Sequence, residues 1–277
     1  MSNEHPFWQQ IGSIYCINLL EREDRYQHAQ KEFDSVGLLE RVHFHRVHKH
    51  PTSGPIGLFT AFLEVLQLEK DKYVDGTIPK PIAVFEDDLQ FKKEKFHYLD
   101  ELIHFVDGKT QMSYDKWDTI RLGHIRTRFV EQVGQNIYRG NTLSTHCVVY
   151  SPCFIERLLK ANIDPAQLPG KNAHIDQYLK SVSGRNYIPW EQVVSQGNHG
   201  SDISWKIQED DTDVEKQQQV YLANAEVCMQ KCWKEAIELW KETESMTVHD
   251  RIKYYHERCK NSDISTYLLE DKYIDLM

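Results

Sequence analysis

The sequence predicts an α/β fold with a mostly parallel sheet, and two observations carry that prediction. From residue 13 onward, short apolar runs alternate with segments of helical spacing, the pattern of strands joined by helical crossovers. Two of those runs lead directly into polar residues, in CINLLER and AVFEDDL. In parallel α/β sheets, ligands bind beyond the carboxyl ends of the strands.

The elements follow in order. SIYCINL (13–19) reads as a buried strand, and DRYQHAQKEFDSVGL as a helix with Tyr26, Ala29, Phe33 and Val36 on one face and Gly37 as its stop. RVHFHRV (41–47) alternates like a strand. Its His43 and His45 share a face, but an exposed or half-buried strand fits them better than a metal cluster. Residues 56–70 form a helix carrying Phe59, Phe62, Leu63 and Leu66 together. PIAVF (81–85) is a strand, 96–106 an amphipathic helix, and 117–123 and 143–150 two further strands. Ser151 followed by Pro152 is a cap residue and a first-turn proline, which opens a helix. HIDQYLKSV (174–182) is a short helix, and 187–197 is extended and rich in turns. Beyond residue 205 the character changes to a charged stretch and two helical segments, roughly 214–243 and 247–260. The expected organisation is a main domain over 1–205 and a helical extension over 206–277. That extension packs on the domain or serves self-association, with a homodimer through these helices as the expectation.

Composition narrows the function classes. With 33 basic against 42 acidic residues, the net charge of −9 argues against general affinity for nucleic acid or anionic membranes. No apolar run approaches the ~20 residues of a membrane span. The N-terminus lacks the basic start and apolar run of a signal peptide. Six cysteines show no CxxC pair and sit in apolar or helical patterns. They read as reduced thiols, and the expected location is cytoplasmic.

The chemistry concentrates in PIAVFEDDLQF, where Glu86, Asp87 and Asp88 follow four apolar residues. Successive strand side chains point to opposite faces, so Glu86 and Asp88 share a side and Asp87 points away. Two carboxylates on one side can hold a hard divalent cation, Mn²⁺ or Mg²⁺. The competing reading is an acidic turn in water. A diphosphate bridged by such a cation needs further positive charge, and Arg22 and Arg25 stand at a strand-to-helix junction where amides also favour phosphate. Otherwise they are arginines on a charged helix start.

Seven segments, in order, together resemble glycosyltransferase family 25, which includes lipopolysaccharide glycosyltransferases and collagen hydroxylysine galactosyltransferases. They are IYCINLLEREDRY, GPIGLFTAFLEVLQ, IAVFEDDL, WDTIRLG, STHCVVYSPCFIERLL, HIDQYL and VVSQGNHGSDIS, covering about residues 13–204. The resemblance implies a GT-A type fold, a UDP-sugar donor, a divalent cation, and inversion at the anomeric carbon. It places Glu86, Asp87 and Asp88 in the metal motif and makes Asn18, Arg22 and Arg25 donor-site candidates, with Asp87 also toward the donor. Asp176 falls at the family's late aspartate.

Inverting transfer needs a base for the acceptor hydroxyl and a Lewis acid for the departing diphosphate. Asp176 is the candidate base; alternatively it is a helix-start acid complementing the dipole. His199, in a Gly-flanked loop, is a candidate third metal ligand or a surface histidine. Asp202 is a donor contact or a cap. His146, on an apolar strand, reads as a satisfied core histidine rather than a catalytic one. The expected reaction moves glucose or galactose from a UDP-sugar to a hydroxyl of a glycan or protein acceptor. The family's helix usually opens with an acid and carries Ser-His where GPIG and TAF stand here. That departure sustains the alternative of a non-catalytic glycan- or nucleotide-binding or assembly protein, and a metal-dependent phosphohydrolase is the rival within enzymes.

Overall fold

The computed structural model describes residues 4–106, 117–169 and 173–197, together with positions 234, 237, 238, 241, 242, 246 and 254. The expected helical extension therefore lies largely outside the described residues, as do His199 and Asp202.

A single turn, α1 (Pro6–Gln9), precedes β1 (Ser13–Leu19) and α2 (Glu23–Ser35). Next come β2 (Val42–Val47), α3 (Gly54–Asp71), β3 (Ile82–Glu86), β4 (Leu89–Phe91) and α4 (His97–Val106). The described chain continues through β5 (Thr119–Gln132), β6 (Ile137–Tyr150), α5 (Pro152–Lys160) and α6 (Ile175–Val182) to β7 (Asn186–Pro189) and β8 (Val194–Gln196). The main sheet has six strands in the order β2-β1-β3-β6-β5-β7. β1 runs parallel to β2 and β3, and β5 parallel to β7, while β6 is antiparallel to each of its neighbours. This is the α/β class with a mostly parallel sheet that the sequence predicts.

Period-two alternation divides the core between the two faces. Cys16, Ala83, Phe85, Cys147 and Val149 pack with residues of α1, α2 and α4. Tyr15, Ile17, Ile82, Val84, Val148 and Tyr150 pack with α3, α5 and α6. On the first face Phe33, Phe85 and Phe91 form an aromatic cluster with ring centroids 5.1 to 5.8 Å apart. Each fully buried aromatic of this kind contributes roughly 1.5–3 kcal/mol by removal from water.

Local signals act as expected at several ends. Gly37 takes a φ of +73° after α2, a conformation that costs other residues the Cβ clash glycine avoids. Ser53 accepts from the Ile56 amide at 3.4 Å, and Ser151 from Phe154 at 3.2 Å. Two features differ from the sequence reading. α1 has no signature in the sequence, because one turn is too short to show a period, yet its Phe7 and Trp8 are fully buried. β5 and β6 each run to 14 residues, beyond the expected 117–123 and 143–150. Their distal halves (124–132 and 137–143) are rich in polar residues and pair with each other as a hairpin, so no apolar run marks them. Among the described residues, no helix is long and apolar enough to cross a membrane.

Candidate functional site

The chain leaves β1 for β2 on one side and then returns to place β3 on the other, so a crevice opens where these three strands end. An open cleft of about 720 Å³ lies there. Its wall includes Arg25, Lys49, His50, the acids 86–88 and Gln196. The loop after β2 reaches the cleft because Gly57, in the first turn of α3, has no side chain: a Cβ there would lie 2.7 Å from Cβ of His50.

The three acids take three different roles. Asp87 is buried and points back into the protein, where Oδ2 accepts from Asn18 Nδ2 at 2.7 Å and Oδ1 from Arg25 Nη1 at 3.0 Å. Asp88 lies 3.7 Å from the same guanidinium nitrogen, and its Oδ1 is buried without a hydrogen-bond partner. Glu86 follows Ile82 and Val84 in the strand alternation and accepts from the Thr145 hydroxyl at 2.7 Å. Burial, then the repulsion of Asp88, pushes the Glu86 carboxyl up to about 8. Burial also raises Asp88, against the opposing pull of Arg25. Two half-desolvated carboxylates held together in this way favour either a proton or a cation between them.

A second cleft of about 740 Å³ adjoins the first, sharing Leu58, Glu86 and Gln196 with it. Its other wall carries Ser144, Thr145, His174 and Asp176. Asp176 stands in the first turn of α6, accepting from the Gln177 amide at 2.7 Å and, over a longer 3.5 Å, from the Ser144 amide. Gln196 arrives through the β4–β8 pairing, in which it sits opposite Leu89.

The predicted residues thus separate. Arg25, Asp87 and Asp88 line the first cleft, Asp176 the second, and Glu86 both. Asn18 and Arg22 line neither. The Asn18 amide donates to Asp87 and to the Arg22 carbonyl, and its oxygen accepts from Arg46 Nε at 2.9 Å. Arg22 makes a paired contact with Asp24 at 2.8 and 2.9 Å. Both are engaged with protein, because a strand-to-helix junction needs its own polar groups satisfied before it offers any to a ligand. Among the described residues, no group of three or more His, Cys, Asp or Glu side chains is arranged to hold a metal ion. His45 pairs with Glu64 at 2.9 Å.

His146 is the core histidine the sequence reading favours. Nε2 lies 3.0 Å from the Val194 carbonyl, Nδ1 meets the Ser144 hydroxyl, and burial lowers the imidazole to about 4. Gln196, Thr145 and Ser144 were not singled out from the sequence. Gln196 alone had a signal, a polar side chain closing an apolar run before Gly197.

No protein-family model and no curated protein matches the chain. The solved structures similar to it include the following two. The crystal structure of A197 from STIV has a TM-score of 0.38 and 10% identity, covering 70% of this chain and 100% of that one. A glycosyltransferase involved in the glycosylation of the major capsid of PBCV-1 also has a TM-score of 0.38, with 8% identity over 69% of this chain and 95% of its own. At that level neither bears on activity, and the chemistry rests on the site.

Proposed function

We propose that the chain is a metal-dependent, inverting glycosyltransferase of GT-A type, similar to family 25, that moves glucose or galactose from a UDP-sugar to a hydroxyl of a glycan or protein acceptor. The observation that supports this reading best is the pair of adjoining clefts with Glu86 at their boundary and Asp176 beyond it. A donor in the first cleft and an acceptor in the second would meet at that boundary.

The fit to a cation is partial on the protein side and sufficient in chemistry. Glu86 and Asp88 offer carboxylate oxygens at one cleft, and the buried, unpartnered Asp88 Oδ1 is an acceptor left to a ligand. Mg²⁺ and similar ions are commonly held by one or two carboxylates plus substrate phosphates, so a third protein ligand is not required. When bound, Mn²⁺ or Mg²⁺ supplies Lewis acidity to the departing diphosphate. Arg25 adds fixed positive charge beside the same oxygens. Asp176 accepts the proton of the acceptor hydroxyl as it attacks, through Oδ2, whose contact to the Ser144 amide is a long 3.5 Å, while Oδ1 accepts from the Gln177 amide at 2.7 Å.

Donor turnover with and without Mn²⁺ tests the reading. Asp176→Asn should retain UDP binding and lose sugar release and transfer. Full activity in that variant would remove Asp176 as the base. UDP binding without any turnover by the natural chain would instead support a binding module.

A further inference from the structure

The β5–β6 pairing shifts register at four places, and at one of them the extra residues lie on β6. Gly123 pairs with Cys147 and Ile125 with Leu143, so His124 alone faces residues 144–146. Bulges of this kind re-aim side chains and concentrate beside functional sites. Within it, Ser144 adopts a φ of +74°, a conformation that a non-glycine residue holds only when its surroundings impose it.

Three contacts impose it. The Ser144 amide donates to Asp176, its carbonyl accepts from Arg121 Nη1 at 3.0 Å, and its hydroxyl meets His146. The next residue turns the other way. Strict alternation from Val149 and Cys147 would place Thr145 on their face of the sheet, yet its hydroxyl reaches Glu86. One bulge therefore hydrogen-bonds carboxylates from two separate elements, the end of β3 and the start of α6.

The brace beneath it is costly. Arg121 is fully buried, and its Nε and Nη2 have no hydrogen-bond partner. A buried guanidinium with unmet donors destabilises a fold, so stability alone gives no reason for a cation at this position.

We infer that the Ser144–Thr145 bulge, braced by Arg121, is the positioning device that holds Asp176 and Glu86 in register across the acceptor-side cleft. This rests on the glycosyltransferase reading for its catalytic consequence and on geometry alone for its structural one. Arg121 and Ser144 are positioning residues, acting through Asp176 and Glu86.

The test uses Arg121→Met and Ser144→Gly in the full chain, with Arg121→Lys as the conservative variant. A displacement of about 1 Å at a reacting group costs on the order of 10²-fold in rate. Arg121→Met should lower kcat for UDP-glucose or UDP-galactose turnover on that scale, leave KM for the donor unchanged, and be rescued in part by Arg121→Lys. Ser144→Gly keeps both peptide groups but loosens the bulge, so it should fold and lose kcat as well. Crystal structures of the two variants give a readout that needs no substrate: residue 144 should leave the left-handed region in Arg121→Met, and Asp176 should shift in both. An unmoved Asp176, or an unchanged kcat in an active natural chain, overturns the inference. A natural chain that turns over no nucleotide sugar defeats the functional reading, while the crystal structures still decide the positioning role.

Discussion

Arg25 donates to Asp87 across 62 residues of sequence, tying the first turns of α2 to the end of β3 with both side chains less than a tenth exposed. The contact makes the middle acid of the triplet an anchor within the protein. It fixes the turn from which Glu86 and Asp88 project, and it sets the cation of Arg25 beside them.

Breaking that pair from one side should be costly. Asp87→Ala leaves a buried guanidinium without its nearest compensating charge, an effect of roughly 3–5 kcal/mol for buried pairs. Urea unfolding should show that loss, and the double replacement Arg25→Met with Asp87→Leu should recover a large part of it. Equal stability of the single and double variants would mean the pair does not act as a unit.

Glu86 should make stability depend on pH. Its folded carboxyl, at about 8, lies above its ordinary value of 4.5. Between those values the folded state keeps a proton that the unfolded chain has released, so stability should fall as pH rises through that window. Glu86→Gln should flatten this slope and be the more stable protein at about pH 8 and above without divalent cations. Thermal unfolding in EDTA across the window checks it; a wild-type curve flat over the same range contradicts the raised carboxyl.

Gly123 should tolerate no side chain. A Cβ there would stand 2.0 Å from His146 Nε2 and 2.7 Å from the Val194 carbonyl, which belongs to backbone and cannot move aside cheaply. Gly123→Ala should cost about 1–3 kcal/mol as overpacking does, read as a lowered Tm. An unchanged Tm would show that the His146 ring is not held where it lies.

These residues also show what the sequence disclosed. The alternation of strands and helices was legible because each apolar stripe matches a face of the sheet, as Ile82 and Val84 do on one side and Ala83 and Phe85 on the other. The acid cluster and Asp176 were legible as polar residues at element ends. The role of Asn18 was not, since an amide at a strand end looks alike whether it meets a ligand or, as here, Asp87 and Arg46. Thr145 and Ser144 were hidden for another reason. A bulge changes which face a residue occupies, and nothing in LSTHCVV marks where the period slips.

Asp88 would carry the metal-bridged diphosphate, and thermal unfolding reads its occupancy directly. Thermal unfolding should be followed with UDP-glucose and UDP-galactose, with and without Mn²⁺, in the natural chain and in Asp88→Ala. Tm should rise with one of these donors only when Mn²⁺ is present, and the rise should be lost in Asp88→Ala. An equal rise in the variant, or none with any nucleotide sugar in the natural chain, would contradict a metal-bridged sugar diphosphate at this site.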